Sequence, residues 1–332
     1  MAPAPPTNQS PAIPPDDHVL RPRAGWAAKR FAPLVVLLSL LIAVGAIEPS
    51  FLSPYALNVL ADESSVILIL ATAQTVVILL GGIDLSMTAV ASLASVLTAL
   101  ALPAIGPSAL VGVLALTTLI GAVQGLIHTR GQAPSFIVTL AGLGAWSGLA
   151  LTIGQTTIPV TAGYSAVGWL ARSTIGVPNS FSLALAALIA LAVALRWLPF
   201  GRHVYAIGMA ERAALLSGVP VGRVKILGFT LTGLFSGLAG LAMVARSSSG
   251  SPTIADSLLL PSIAAVAIGG TSITGGVGGL GRTFIGALTI TVLRVALATI
   301  GLDPAYEPIA YGVLVIAAVA LTIDRSNAQI VK

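Results

Sequence analysis

Side chains able to do covalent or metal chemistry are few in this sequence, and they lie far apart. The three histidines, His18, His128 and His203, fall in three separate segments, so no pair has the spacing of a metal-ligand motif. The chain has no cysteine, which removes disulfides, thiol nucleophiles and thiolate metal sites. No Walker A pattern occurs, so no loop is expected to cradle the phosphates of ATP. No Ser/His/Asp set has a spacing that suggests nucleophilic catalysis. The sequence therefore predicts neither catalytic residues nor a metal nor another cofactor.

The polar groups that stand out sit in apolar surroundings. Asp84 lies within GGIDLS, where an aspartate can accept bonds from the first amides of a following helix and oppose its positive end. Residues 269–281, GGTSITGGVGGLG, are too glycine-rich for a regular helix, since each glycine costs about 1 kcal/mol relative to alanine. A broken or re-entrant segment is expected there. Irregular backbone at membrane depth is tolerated only inside protein or along an aqueous path. Tight helix packing and a path-lining backbone both remain open. In the second case Thr271, Ser272 and Thr274 offer hydroxyls to that path. Arg294 is a charge inside an apolar run, expected either to face an interior or subunit boundary or to form a local bond. The candidate translocation path thus comprises Asp84, Ser86, Gly269, Gly270, Thr271, Ser272, Thr274 and Arg294.

The elements that must position these groups follow from composition. Only 8% of the 332 residues are charged and 56% are hydrophobic, against roughly 25% charged in soluble domains. The mean hydropathy is +1.00. The chain reads as an all-α integral membrane protein. Apolar runs of the length a bilayer needs, about 20 residues, fall near 31–47, 64–80, 84–102, 107–127, 136–154, 180–198, 226–246, 257–281, 282–301 and 305–323. That is ten spans, with nine or eleven left open by the glycine-broken eighth. Residues 1–25, rich in proline, predict a disordered cytosolic tail ahead of a membrane body over 26–332. With the N-terminus inside, outer segments carry only Arg172 and Arg246 and one span holds Arg294; every other basic residue falls inside. The acids Glu48, Asp62, Glu63, Asp256, Asp303 and Glu307 fall outside. This is the positive-inside pattern with both termini cytoplasmic, and the net charge of +5 calls for no nucleic acid.

Aligning Gly81-Gly82 on Gly269-Gly270 sets VILLGGIDLS against AVAIGGTSIT, which suggests an internal duplication. With ten spans the two copies enter from opposite sides, giving an inverted repeat. The longest internal segment outside the spans, about 199–225, predicts one short helix over 203–217, stopped by Gly218 and Pro220. Ala210, Ala213, Ala214 and Ser217 form a stripe of small side chains on it, surrounded by Arg202, Arg212, Arg223 and Lys225. It reads either as a basic loop or as a docking helix for a soluble partner.

VVILLGGIDLS (76–86), SFIVTLAGL (135–143), AERAALLSGV (210–219) and IAAVAIGGTSITGGVGGLGRTFIGAL (263–288) occur in an order that resembles the permease subunits of ATP-binding-cassette importers of the ribose/pentose type. The resemblance implies a bacterial inner-membrane protein that passes a small hydroxylated solute. A solute-binding protein would deliver the solute, separate cytosolic ATPase subunits would hydrolyse ATP, and a second permease copy or paralogue would complete the path among membrane lipids. It also implies that 203–218 is the coupling helix, with Ala210, Glu211, Arg212, Ala213, Ala214, Ser217 and Gly218 meeting the ATPase. The family pattern there is E-A-A, three residues, then Gly. Ala213, Ala214 and Gly218 fit it, but Arg212 holds the glutamate position and Glu211 lies one residue earlier, about 100° around a helix. An ion-coupled secondary transporter is the alternative, and it would call for acids in mid-span, which are missing here.

Overall fold

The computed structural model describes residues 25–299 and 301–322; the expected tail at 1–24 and the C-terminal segment with Arg325 and Lys332 lie outside them. Thirteen helices account for most of the described chain: α1 (Gly25–Ile47), α2 (Pro54–Leu79), α3 (Met87–Ile105), α4 (Ser108–Arg130), α5 (Ser135–Ile153), the single turn α6 (Ser165–Gly168), α7 (Asn179–Trp197), α8 (Pro199–Met209), α9 (Glu211–Leu216), α10 (Val221–Ser247), α11 (Leu259–Ile268), α12 (Leu280–Thr299) and α13 (Glu307–Thr322). Sheet among the described residues is confined to two antiparallel two-residue pairings, Ile158–Pro159 with Ser249–Gly250 and Ser173–Thr174 with Val177–Pro178. Among the described residues, seven helices are long and apolar enough to cross a membrane: α2, α3, α4, α5, α7, α10 and α12. The fold is that of an all-α membrane protein.

Helix α2 is the axis of the bundle. Ser53 caps it by accepting from the Ala56 amide, Pro54 opens it, and every residue from Ser64 to Leu79 is buried. It packs against α7, α10, α11 and α12. Helices α4 and α10 approach each other closely. A Cβ placed on Gly121 would stand 2.1 Å from the Phe229 carbonyl oxygen, and one on Gly233 would stand 2.1 Å from that of Thr117. Small residues at four-residue spacing, Gly121 and Gly125 against Gly233 and Gly237, bring the two backbones together, the usual source of helix association where lipid offers no hydrophobic contrast.

One local expectation holds and one is corrected. The eighth run is broken where its glycines cluster, as expected, and its helical part is short. Its helix, α11, covers only Leu259–Ile268, a rise of about 15 Å, and the chain from Gly269 to Gly279 is irregular. The glycines there take backbone angles that only they adopt cheaply, Gly270 at φ +80° and Gly275 at +93° among them. The helix expected at 203–217 is instead two helices, α8 and α9, separated by Ala210 in extended backbone (φ −161°, ψ 90°). Tertiary packing causes the break: α8 buries Gly201, Val204 and Ile207 against the bundle, whereas Ala214 is the buried residue of α9.

Candidate functional site

The α8–α9 element is anchored on both sides and bare at its tip. Glu211, in the first turn of α9, forms an ion pair of 2.7 Å with Lys225 on α10. At the other end, the Gly218 amide donates to the Leu215 carbonyl and the Val219 amide to that of Ala214, with Gly218 at φ +82°. This is the glycine-closed helix end expected from the sequence. Ala213, Arg212 and Ser217 face outward, and the Ser217 hydroxyl donates back to the Ala213 carbonyl at 2.9 Å. Sequence reasoning missed the apolar tip: Met209, Leu215 and Leu216 are 75%, 61% and 89% exposed. The signal was present, as three large apolar residues within a basic segment outside the spans.

Behind this element three glycine-rich segments meet. At the end of α2 the Gly81 amide donates to the Ile78 carbonyl and the Gly82 amide to that of Val77, with Gly81 at φ +79°. At the end of α11 the Gly270 amide donates to the Ala267 carbonyl and the Thr271 amide to that of Val266, with Gly270 at φ +80°. The same hydrogen-bonded turn thus closes both helices. Its register pairs Gly81 with Gly270, one residue away from the alignment of the two Gly-Gly pairs. The two segments also touch. The Gly276 amide donates to the Leu79 carbonyl at 3.0 Å, and a Cβ on Gly275 would lie 2.9 Å from the Gly81 nitrogen. Helix α8 closes the junction. A Cβ on Gly208 would lie 1.9 Å from the Leu79 oxygen and 2.4 Å from the Gly276 nitrogen, and the Tyr205 hydroxyl donates to the Gly278 carbonyl at 3.2 Å. Burial pushes the Tyr205 phenol above its ordinary pKa, with the Arg282 charge opposing, so at neutral pH it remains a donor.

The eight candidate path residues fall into three places rather than one. Asp84 and Ser86 are fully buried together. One Asp84 oxygen accepts from the Ser86 amide at 2.8 Å and the Ser86 hydroxyl at 2.7 Å, and the other accepts from Thr232 on α10 at 2.8 Å. Gln124 on α4 donates to the Ser86 hydroxyl at 2.9 Å. Asp84 therefore closes a turn onto Ser86 at the entry to α3 and also ties that entry to α10. Gly269, Gly270, Thr271, Ser272 and Thr274 belong to the glycine junction. There Thr271 is buried and accepts from the Gly279 amide, while the Ser272 and Thr274 hydroxyls bond to each other at 2.8 Å with Thr274 exposed. Arg294 stands apart, held locally by Glu307 at 3.5 Å and Glu63 at 3.9 Å. Thr232, Gln124, Glu63 and Glu307 escaped sequence reasoning because the segments carrying them meet the candidates only in three dimensions. Among the described residues, no group of three or more His, Asp or Glu side chains is placed to hold a metal.

A bundle of apolar helices around a buried axial helix, with a short helical element beside it and glycine-closed helix ends beneath, is the architecture of a multi-pass membrane protein. The chain belongs to the family described as branched-chain amino acid transport system / permease component, whose model matches residues 56–319. It is 35% identical over 309 residues to the ribose import permease protein of Bacillus subtilis, covering 90% of this chain and 94% of that one. It is also 35% identical over 294 residues to the ribose import permease protein of Escherichia coli (86% and 91% covered). The fructose import permease protein of Rhizobium meliloti is 34% identical over 305 residues (87% and 84%).

Proposed function

We propose that this chain is the membrane-spanning subunit of an ATP-driven importer and forms the path for a small hydroxylated solute of the sugar class. The observation that carries this reading is the α8–α9 element. Its exposed tip of Met209, Leu215 and Leu216 suits a cleft on a soluble partner, and Gly208 behind it sits directly on the α2 end and the 275–276 turn. A push on the tip therefore reaches segments at membrane depth without an intervening flexible linker. A cytosolic ATPase pair supplies the push, an extracytoplasmic solute-binding protein delivers the solute, and a second permease copy or paralogue completes the path. ATP hydrolysis belongs to the separate subunit. In this reading α1, α11 and α13 join the seven long helices to give ten membrane segments, both termini face the cytoplasm, and the turns at Gly81 and Gly270 mark an inverted repeat. The relatives' names, ribose and fructose import permeases, support a monosaccharide as solute.

Reconstitution of the chain with ATPase subunits and a solute-binding protein tests this. Labelled ribose should accumulate in vesicles only when ATP is on the α8–α9 side. Uptake driven by a proton or sodium gradient in the absence of the ATPase would refute the assignment. Deletion of 203–218 should abolish association with the ATPase, and retained association would remove the docking role.

A further inference from the structure

We infer that the cavity between α7, α8 and the start of α12 binds the phosphodiester headgroup of an anionic phospholipid. This inference needs the chain to be a membrane protein but does not depend on which solute it passes. Arg196, in the last turn of α7, and Arg202, in the first turns of α8, line a cavity of about 430 Å³ together with Leu195, Tyr205, Leu280 and Gly281. Both arginines line the same cavity, and the planar donor fork of a guanidinium matches phosphate oxygens. Leu280 and Gly281, the first residues of the 20-residue helix α12, lie in the same wall. The Arg282 and Thr283 amides donate to the Gly279 carbonyl, while those of Leu280 and Gly281 have no acceptor within the helix and sit at the positive end of its dipole. Arg282, in the same first turn and close enough to act on the Tyr205 phenol, adds a further positive charge. Among the described residues, no carboxylate lines the cavity.

Its surroundings favour a lipid over free phosphate. Trp197, 77% exposed, follows Arg196, whose guanidinium lies 6.0 Å from the indole ring. Exposed tryptophan is characteristic of the headgroup level of a bilayer. Val193 and Ile189, exposed one and two turns earlier on the same side of α7, extend an apolar track away from the cavity for an acyl chain. Basic pockets between membrane helices are known sites for anionic headgroups, whereas inorganic phosphate would make no use of the track.

Native mass spectrometry of the full chain released from phosphatidylglycerol nanodiscs is the test, with phosphatidylcholine nanodiscs and the Arg130→Gln variant as controls. Wild type and Arg130→Gln should retain phosphatidylglycerol in preference to phosphatidylcholine. Arg196→Gln/Arg202→Gln should bind it about 30-fold more weakly, given the typical contribution of each basic residue near an anionic surface. Loss of the preference in Arg130→Gln as well would overturn the site in favour of diffuse electrostatics, and displacement by millimolar inorganic phosphate would assign the cavity to free phosphate. A double variant that keeps the lipid but loses ATPase binding would make the cavity part of the docking face instead. Should the double variant aggregate, tryptophan quenching by brominated phosphatidylglycerol decides. Trp197→Phe should remove the lipid-specific component, and quenching equal to that by brominated phosphatidylcholine would refute the site.

Discussion

Asp84 shows what a single buried acid does in this membrane body. Its three hydrogen bonds leave no oxygen unpaired, and two of the donors come from Ser86, the third from a helix distant in sequence. Thr232→Val removes one bond and leaves a carboxylate oxygen unsatisfied, which typically costs 1–3 kcal/mol or more for a charged group. Asp84→Asn turns a donor toward a hydroxyl or amide and should cost a similar amount. Thermal unfolding in detergent should place both variants below wild type and show them to be non-additive, because they break the same contact. Gln74 is the opposite case. It is fully buried on α2, and neither side-chain atom has a hydrogen-bond partner among the described residues. Burying an amide in that way costs about 1–3 kcal/mol on mutational scales. Gln74→Met keeps the volume without the penalty, so its unfolding temperature should exceed that of wild type. A fall would show that the carboxamide is engaged by a group beyond these contacts. That Asp84 would bond locally at the entry to the following helix was legible from its place in GGIDLS, although its amide partner is Ser86 rather than a residue of the helix itself. Thr232 and Gln124 were not, since nothing local in α10 or α4 distinguishes them from other small or polar residues.

At the scale of elements, the glycine junction connects docking to the membrane interior. Gly208 lies so close to the Leu79 oxygen and the Gly276 nitrogen that a methyl group there must displace backbone, whereas Gly222, at the start of α10, has nothing within 4 Å. Gly208→Ala should therefore lower both thermal stability and ATP-driven uptake. Gly222→Ala, a glycine-to-alanine change in a helix, should be neutral or slightly stabilising. Equal behaviour of the two variants in uptake assays would remove α8 from the coupling route. The tip behaves differently. Leu216→Glu places a charge where the side chain is already in solvent, so unfolding should not shift while ATPase co-purification falls. A sequence pattern could announce the breaks at 269–281 and Gly218, because glycine has a conformational meaning wherever it stands. It could not announce the break at Ala210. Alanine is the best helix former, and only the docking of α8 on the bundle forces extended backbone at that position.

Across the whole molecule, few charges remain inside the helical bundle, and they are not scattered. Arg246 on α10 pairs with Asp62 at 3.2 Å and with Glu63, both on α2, while Arg294 on α12 lies between Glu63 and Glu307 of α13. Ser180 of α7 donates to Asp62 at 2.6 Å, and Tyr311 donates to Glu307 at 2.8 Å. Five helices are thereby tied together at the end of α2 opposite the glycine junction. The sequence put Arg246 on the same outer side as Asp62 and Glu63 but separated Arg294 from its acids, since span assignment put Arg294 within the membrane and Glu63 and Glu307 outside. Their meeting depends on how α2, α12 and α13 pack. Each of these side chains is roughly one-fifth to one-third exposed, so each pair is expected to contribute about 1 kcal/mol or less. Glu63 is the shared member and is the informative residue to change. Glu63→Gln should lower the unfolding temperature modestly at low ionic strength, with the difference shrinking in about 1 M salt, where the screening length is about 3 Å. Arg294→Gln should lose less, because Glu307 and Glu63 both lie at longer range from it. In a double-mutant cycle the Glu63–Arg246 coupling should exceed the Glu63–Arg294 coupling, following their contact geometry. If the network holds the outer helix ends closed during transport, Glu63→Gln should also raise ATPase turnover in the absence of solute-binding protein. Unchanged basal turnover with the expected loss of stability would leave the network as a structural clamp alone.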